Sequence, residues 1–141
     1  MTGTETGPST GPIDALAAMD RAHRLVPGAV IALERRRRRG IDVWEAGVLR
    51  ADGTASRLSL NMADGVLVRK RPMHLSPAQR TPAPGVTAEQ AIATVRIAVP
   101  DPVTGLGLQY EGSVRRWRIE VAMDHGGHRV IALDAEVEEP G

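Results

Sequence analysis

The chain carries an internal duplication, because residues 14–65 align without a gap on residues 87–138, at a constant offset of 73. Ten aligned positions are identical, and they are apolar residues together with the Pro, Gly and Trp that punctuate the pattern. A repeat of this length constrains the fold more strongly than any local signal. The sequence therefore predicts two equivalent structural units.

The composition along the chain sets the boundaries of these units. Residues 1–11 contain Thr, Gly, Pro and Glu without apolar periodicity, which is typical of a disordered tail. Residues 71–86 hold four prolines and predict a semi-extended linker. We therefore expect a first unit over 12–70 and a second over 87–139. A unit of about 60 residues is marginally stable alone, so the two units should pack on each other.

Each unit begins with a helical pattern and continues with alternating segments. In the second unit, Thr87 and Gln90 match a capping box, and Pro100 ends the helical stripe. Apolar and polar residues then alternate around Trp44 and Trp117, as in half-buried antiparallel strands. We predict an α+β fold of two pseudo-repeated units, each one helix packed on a curled three- to four-stranded antiparallel sheet, with both tryptophans as structural core residues.

Two stretches carry a resemblance to a known family. The helix opening TAEQAIATV at 87–95 and the strand and turn LNMADGVLV at 60–68, with a strand beginning at a tryptophan, resemble the PepSY domain. This resemblance implies a cystatin-like fold, often in tandem, in proteins such as protease propeptides and bacterial envelope proteins. It implies inhibitory or regulatory binding and no catalytic residues.

The composition excludes several chemistries. The sequence has no cysteine, which rules out disulfides, thiol catalysis and thiolate metal sites. Asp124, His125 and His128 share a glycine-containing turn, but this turn is not a rigid ligand frame, and zinc would need further ligands from elsewhere. We therefore predict no metal site and no cofactor.

An uninterrupted arginine run is the most prominent local feature. Five guanidinium groups in succession suit acidic partners or phosphates, because each can form paired hydrogen bonds. In the alternative interpretation, the run forms an exposed hairpin tip turned by Gly40, where like charges discourage edge-to-edge pairing of strands. The candidate residues for binding an anion or partner are Arg35, Arg36, Arg37, Arg38 and Arg39.

Acid–base chemistry requires histidine or carboxylate side chains that converge in a pocket. Asp20 and His23 lie close together on the first predicted helix, and His23 flanks its apolar stripe. We regard these two residues as pocket candidates, and we predict no catalytic residue.

The preferred function is a non-enzymatic binding or regulatory module, with a protein partner such as a protease or an envelope protein. A sheet edge, or the groove between units, would bind an extended segment of that partner. One alternative is a small-molecule-binding or catalytic cystatin-like protein of a bacterial biosynthetic pathway. A further alternative is anion or nucleic-acid binding through Arg35–Arg39.

The sequence also bears on location. No apolar run approaches the roughly 20 residues that cross a bilayer, so we expect no transmembrane segment. The opening residues lack the basic and apolar regions of a signal peptide, which predicts a cytoplasmic protein. An extracytoplasmic location follows instead if a signal preceded this sequence and was removed. The oligomeric state stays open.

Overall fold

The described part of the chain folds into seven antiparallel strands and two α-helices. The computed structural model describes residues 12–80, 83–112 and 114–136, so the predicted tail over 1–11 lies outside the described residues. The elements in chain order are α1 (Ala15–Leu25), β1 (Ala29–Arg38), β2 (Ile41–Leu49), β3 (Ala55–Asn61), β4 (Leu67–Met73), a 3₁₀ turn (Pro77–Arg80), α2 (Ala88–Ala98), β5 (Val103–Glu111), β6 (Val114–Ala122) and β7 (His128–Asp134).

All seven strands belong to one sheet, in the order β4-β3-β2-β1-β5-β6-β7. The prediction of two units, each with its own three- to four-stranded sheet, is therefore wrong. The sheets merge because β1 pairs with β5, with Leu33 opposite Leu106. Both leucines are buried, so the shared sheet shields apolar edges that two separate sheets would expose to water.

Several contacts in this single sheet recur 73 residues apart. The indole N–H of Trp44 donates to the carbonyl of Ile13 at 3.0 Å, and that of Trp117 donates to the carbonyl of Val86 at 2.8 Å. Leu33 and Leu106, which face each other across the central strand pair, are also 73 residues apart. An approximate twofold axis therefore passes between these two leucines.

Both helices pack on one face of the sheet, which we call the helix face. Strand alternation turns Trp44, Ala46 and Val48 of β2 towards the helices, where they join one core with α1 and α2. The intervening residues Val43 and Glu45 lie on the opposite face, on which neither α1 nor α2 packs and which we call the open face.

Local signals fix where the helices begin. The carboxylate of Asp14 accepts the backbone N–H of Ala17 at 2.9 Å, and Thr87 and Gln90 form the predicted capping box. Each helix has 11 residues. Within the described ranges, neither helix has the length or apolar character needed to cross a membrane.

Candidate binding groove

The arginine run lies on both faces of the sheet, because it forms the end of β1. Arg35 is opposite Trp44 on the helix face, whereas Arg36 and Arg38 are opposite Val43 and Ile41 on the open face. Successive side chains of a strand point to opposite faces. The five guanidinium groups therefore do not form one continuous patch.

A nearly buried carboxylate holds the two open-face members of the run. Glu45 is 5% exposed, and its Oε2 accepts from both Nε and Nη2 of Arg38 at 2.8 Å. Arg36 Nε lies 3.2 Å from Glu45 Oε1, and Ser59 Oγ lies 3.4 Å from Oε2. A buried carboxylate needs such compensation, so these arginines are committed to structure.

The remaining arginines of the run have different environments. Arg36 also donates to Glu34 at 2.7 Å, and this hydrogen bond raises the pKa of Arg36. Arg37 pairs with Asp42 at 3.1 Å. Arg39 has a positive φ of 52° and occupies the hairpin turn with the next residue, a glycine at φ 78°. Among the described residues, Arg39 has no ion-pair partner.

A groove of about 690 Å³ opens on the open face beside this hairpin. Its two walls are the hairpin tip and β4, which places Arg69 and Arg71 opposite the end of the run. Arg69 and Arg71 make no ion pair with any described residue. The groove lining comprises Arg37, Arg38, Arg39, Ile41, Val43, Glu45, Ser59, Val68, Arg69 and Arg71.

Exposed aliphatic residues lie next to these charges. Ile41 is 42% exposed and Val68 is 53% exposed, and both line the groove. Val66 and Leu67, just before and at the start of β4, are also exposed. Protein-binding surfaces are enriched in arginine, and contiguous exposed apolar clusters mark such surfaces.

Arg69 and Arg71 are not among the binding candidates predicted from the sequence. The prolines predict a linker from residue 71 onwards, yet β4 continues to Met73. One sequence signal indicates these two residues. Arg69 and Arg71 are two positions apart, and residues with this spacing lie on the same face of a strand. Pro72 is compatible with this strand because β4 is an edge.

The structure separates the two pocket candidates of the first helix. His23 is half-buried, and its Nε2 is hydrogen-bonded to the carboxylate of Glu89 at the start of α2. Asp20 instead pairs with Arg24 at 3.1 Å, where both side chains are exposed. His23 lines a small crevice between the helices, which Asp20 does not line.

The turn that begins at Asp124, for which the sequence predicts no metal site, joins β6 to β7. His128 begins β7, with its Nδ1 at 3.8 Å from Glu120 Oε1. In the part of the chain that the structure describes, no group of three or more His, Cys, Asp or Glu side chains is placed to hold a metal ion.

Comparisons with known proteins identify no family for this chain. No family model matches the sequence, and no curated protein matches it. Among solved structures, the chain is similar to a putative lipoprotein from Clostridium difficile 630, with a TM-score of 0.47 and 12% identity over 90% of this chain and 88% of that chain. A similarity this distant supports no assignment, and the PepSY resemblance stays a prediction without a matching family model.

Proposed function

We propose that this chain is a non-enzymatic binding protein that holds an acidic, extended segment of a partner protein in the open-face groove. The observation that carries this proposal is the set of three arginines without ion-pair partners among the described residues, Arg39, Arg69 and Arg71, beside exposed Ile41 and Val68. Guanidinium groups bind carboxylates through paired hydrogen bonds, and the aliphatic side chains offer apolar contact.

The charge balance of the groove favours an anionic occupant. Five guanidinium groups line it, and the only carboxylate among the described lining residues is Glu45. Glu45 is already neutralised by Arg36 and Arg38. A partner with several acidic side chains therefore meets an excess of positive charge, which speeds association and sets orientation.

The lining residues favour a protein segment over nucleic acid. Proteins that bind single-stranded nucleic acid combine basic grooves with aromatic side chains on which bases stack. None of the described lining residues of this groove is aromatic, and the neighbouring Trp44 is buried on the helix face. The aliphatic residues Ile41, Val43 and Val68 suit the apolar side chains of a peptide instead.

Acid–base catalysis in this groove lacks a suitable group among its described lining residues. The Ser59 hydroxyl contacts Glu45, and the Glu45 carboxylate is held by two guanidinium groups. A general base must be free to accept a proton from a substrate. The groove is therefore better suited to binding than to turnover.

A peptide-binding measurement tests this proposal. The probe is a fluorescein-labelled decapeptide of alternating Glu and Val, and a peptide of alternating Lys and Val is its charge control. We expect the Glu–Val peptide alone to bind, with an affinity that falls as salt increases. The double substitution Arg69→Ser and Arg71→Ser should weaken binding at least about tenfold, because charge-assisted hydrogen bonds are lost.

The matched control removes the same charge elsewhere. Arg24→Ser combined with Arg129→Ser takes two exposed arginines from outside the groove, and it should leave the affinity within about twofold, since surface charges this distant are screened. Equal weakening by both double variants would show attraction to net charge only. Binding of the Lys–Val peptide with the same affinity would also contradict the proposal.

A further inference from the structure

Two crevices lie between the helices and the sheet, and the 73-residue offset relates them. The larger has a volume of about 350 Å³, between the start of α1 and the end of α2. The smaller, of about 210 Å³, lies between the start of α2 and the end of α1. Several lining residues of the two crevices are related by this offset. In each of the following pairs the residue of the larger crevice comes first: Asp14 and Thr87, Ala15 and Ala88, Trp44 and Trp117, and Val103 and Val30.

The charged residues of the two crevices differ. In the smaller crevice, a hydrogen bond between His23 and Glu89 joins the two helices. In the larger crevice, Arg96 occupies the position equivalent to His23, and Leu16 occupies the position equivalent to Glu89. Arg96 therefore has no acidic partner equivalent to Glu89, and it makes no ion pair with any described residue.

A second guanidinium group also lines the larger crevice. Arg35 lies over the ring of Trp44, with its central carbon 6.0 Å from the ring centroid, in a cation–π arrangement. Its equivalent is Leu108, which packs against the core. Arg35 likewise has no ion-pair partner among the described residues. The larger crevice thus has two available guanidinium groups where the related positions carry a paired histidine and a leucine.

Two carboxylates border the larger crevice and limit the charge of any occupant. Asp14 accepts the N–H of Ala17 as the helix cap, and Asp101 lies in the loop before β5. Neither is within ion-pairing distance of Arg35 or Arg96. A ligand with one negative charge can be bound by the guanidinium groups, whereas a second negative charge would be repelled by the two aspartates.

We propose that the larger crevice binds a small organic monocarboxylate with an apolar body, whose carboxylate is held by Arg35 and Arg96. The apolar body would contact Leu16, Trp44 and Ile92, which belong to the apolar part of the lining. A volume of about 350 Å³ lies at the lower end of the range for ligand pockets. This site lies on the helix face and is independent of the open-face groove.

Nuclear magnetic resonance titration of the full chain tests this proposal, with 4-phenylbutyrate as the probe. We expect saturable shifts at the Trp44 indole N–H and around Ile92, and none at the Trp117 indole N–H. The neutral amide of the same compound should bind at least about tenfold more weakly, because it has no negative charge and only one carbonyl oxygen to accept from the guanidinium groups. Phenyl phosphate, a dianion, should bind no better than the carboxylate.

Two substitutions assign the site. Arg96→Gln should weaken 4-phenylbutyrate at least about tenfold. Leu16→Glu introduces the acidic partner that the smaller crevice has in Glu89, and it should block the carboxylate while retaining the helix. Arg129→Gln, an exposed change on β7, should alter nothing.

Several outcomes would overturn the proposal. These are equal affinity for acid and amide, tighter binding of phenyl phosphate, unchanged affinity in both Arg96→Gln and Leu16→Glu, and the absence of saturable shifts at millimolar probe. Shifts centred on Trp117 would assign the ligand to the other crevice and equally contradict it. The spectrum of each variant also shows directly whether that variant is folded.

Discussion

Replacement of Trp117 by alanine is expected to lower the free energy of unfolding by about 3–5 kcal/mol. The indole is fully buried, and its N–H donates to the carbonyl of Val86 at 2.8 Å. The substitution leaves a large cavity at the centre of the second half, and it also leaves that carbonyl without its partner. Because small domains are stable by about 5–15 kcal/mol, this loss removes a large part of the total.

Chemical denaturation of Trp117→Ala and Trp117→Phe separates the two contributions. The phenylalanine variant keeps most of the apolar volume but loses the hydrogen bond, so it should lose only about 1–3 kcal/mol. The matched Trp44→Ala variant should resemble Trp117→Ala, because Trp44 is equally buried and donates to Ile13. A loss below about 1 kcal/mol in Trp117→Ala would contradict a central role for this indole.

Gly28→Ala is expected to lower stability by roughly 2–5 kcal/mol, through two separate causes. Gly28 has a φ of 155°, which L-amino acids with a side chain rarely adopt. A Cβ atom there would also lie 2.4 Å from the backbone oxygen of Leu49, at the end of β2. Since this oxygen belongs to the backbone, β1 and β2 must shift apart at their shared end.

Gly53→Ala is the matched control for backbone strain. Gly53 also has a positive φ, 89°, but a Cβ atom there meets nothing within 4 Å. This variant should therefore lose only about 1–2 kcal/mol, the cost of the left-handed conformation alone. The difference in unfolding free energy between the two variants measures the clash at Leu49. Equal losses would show that the clash is relieved without cost.

The local elements could largely be predicted from the sequence. Helix α2 begins at the capping box of Thr87, and the alternation around Trp117 corresponds to β6. These signals depend on neighbouring residues, so they are visible in the sequence. The 73-residue offset also predicted that Trp44 and Trp117 would have matching environments, and both indoles donate to carbonyls 31 residues earlier in the chain.

The joining of the halves could not be predicted in this way. Pairing of β1 with β5 brings together Leu33 and Leu106, and no local pattern specifies which distant strand an edge will meet. The end of β4 was also missed, since Pro72 and its basic neighbours are typical of linkers as well as edge strands.

The placement of the arginine run on the sheet could not be predicted from the sequence either. Its composition predicted either an anion-binding surface or an exposed hairpin tip, but strand alternation sends Arg35 to the helix face and Arg38 to the open face. The buried Glu45, which holds Arg36 and Arg38, is distant enough in sequence that its pairing was not apparent. The groove arginines of β4 become neighbours of the hairpin only through the folded sheet.

The pseudo-symmetric join between β1 and β5 has a consequence for assembly. Each of these strands offers the other a complementary edge, and the same edge is present on every copy of the chain. Two molecules that unfold and refold together can therefore exchange halves, with β1 of one molecule docking on β5 of the other. The number of residues between Met73 and Ala88 then decides whether an interlocked dimer or the closed monomer prevails at high concentration.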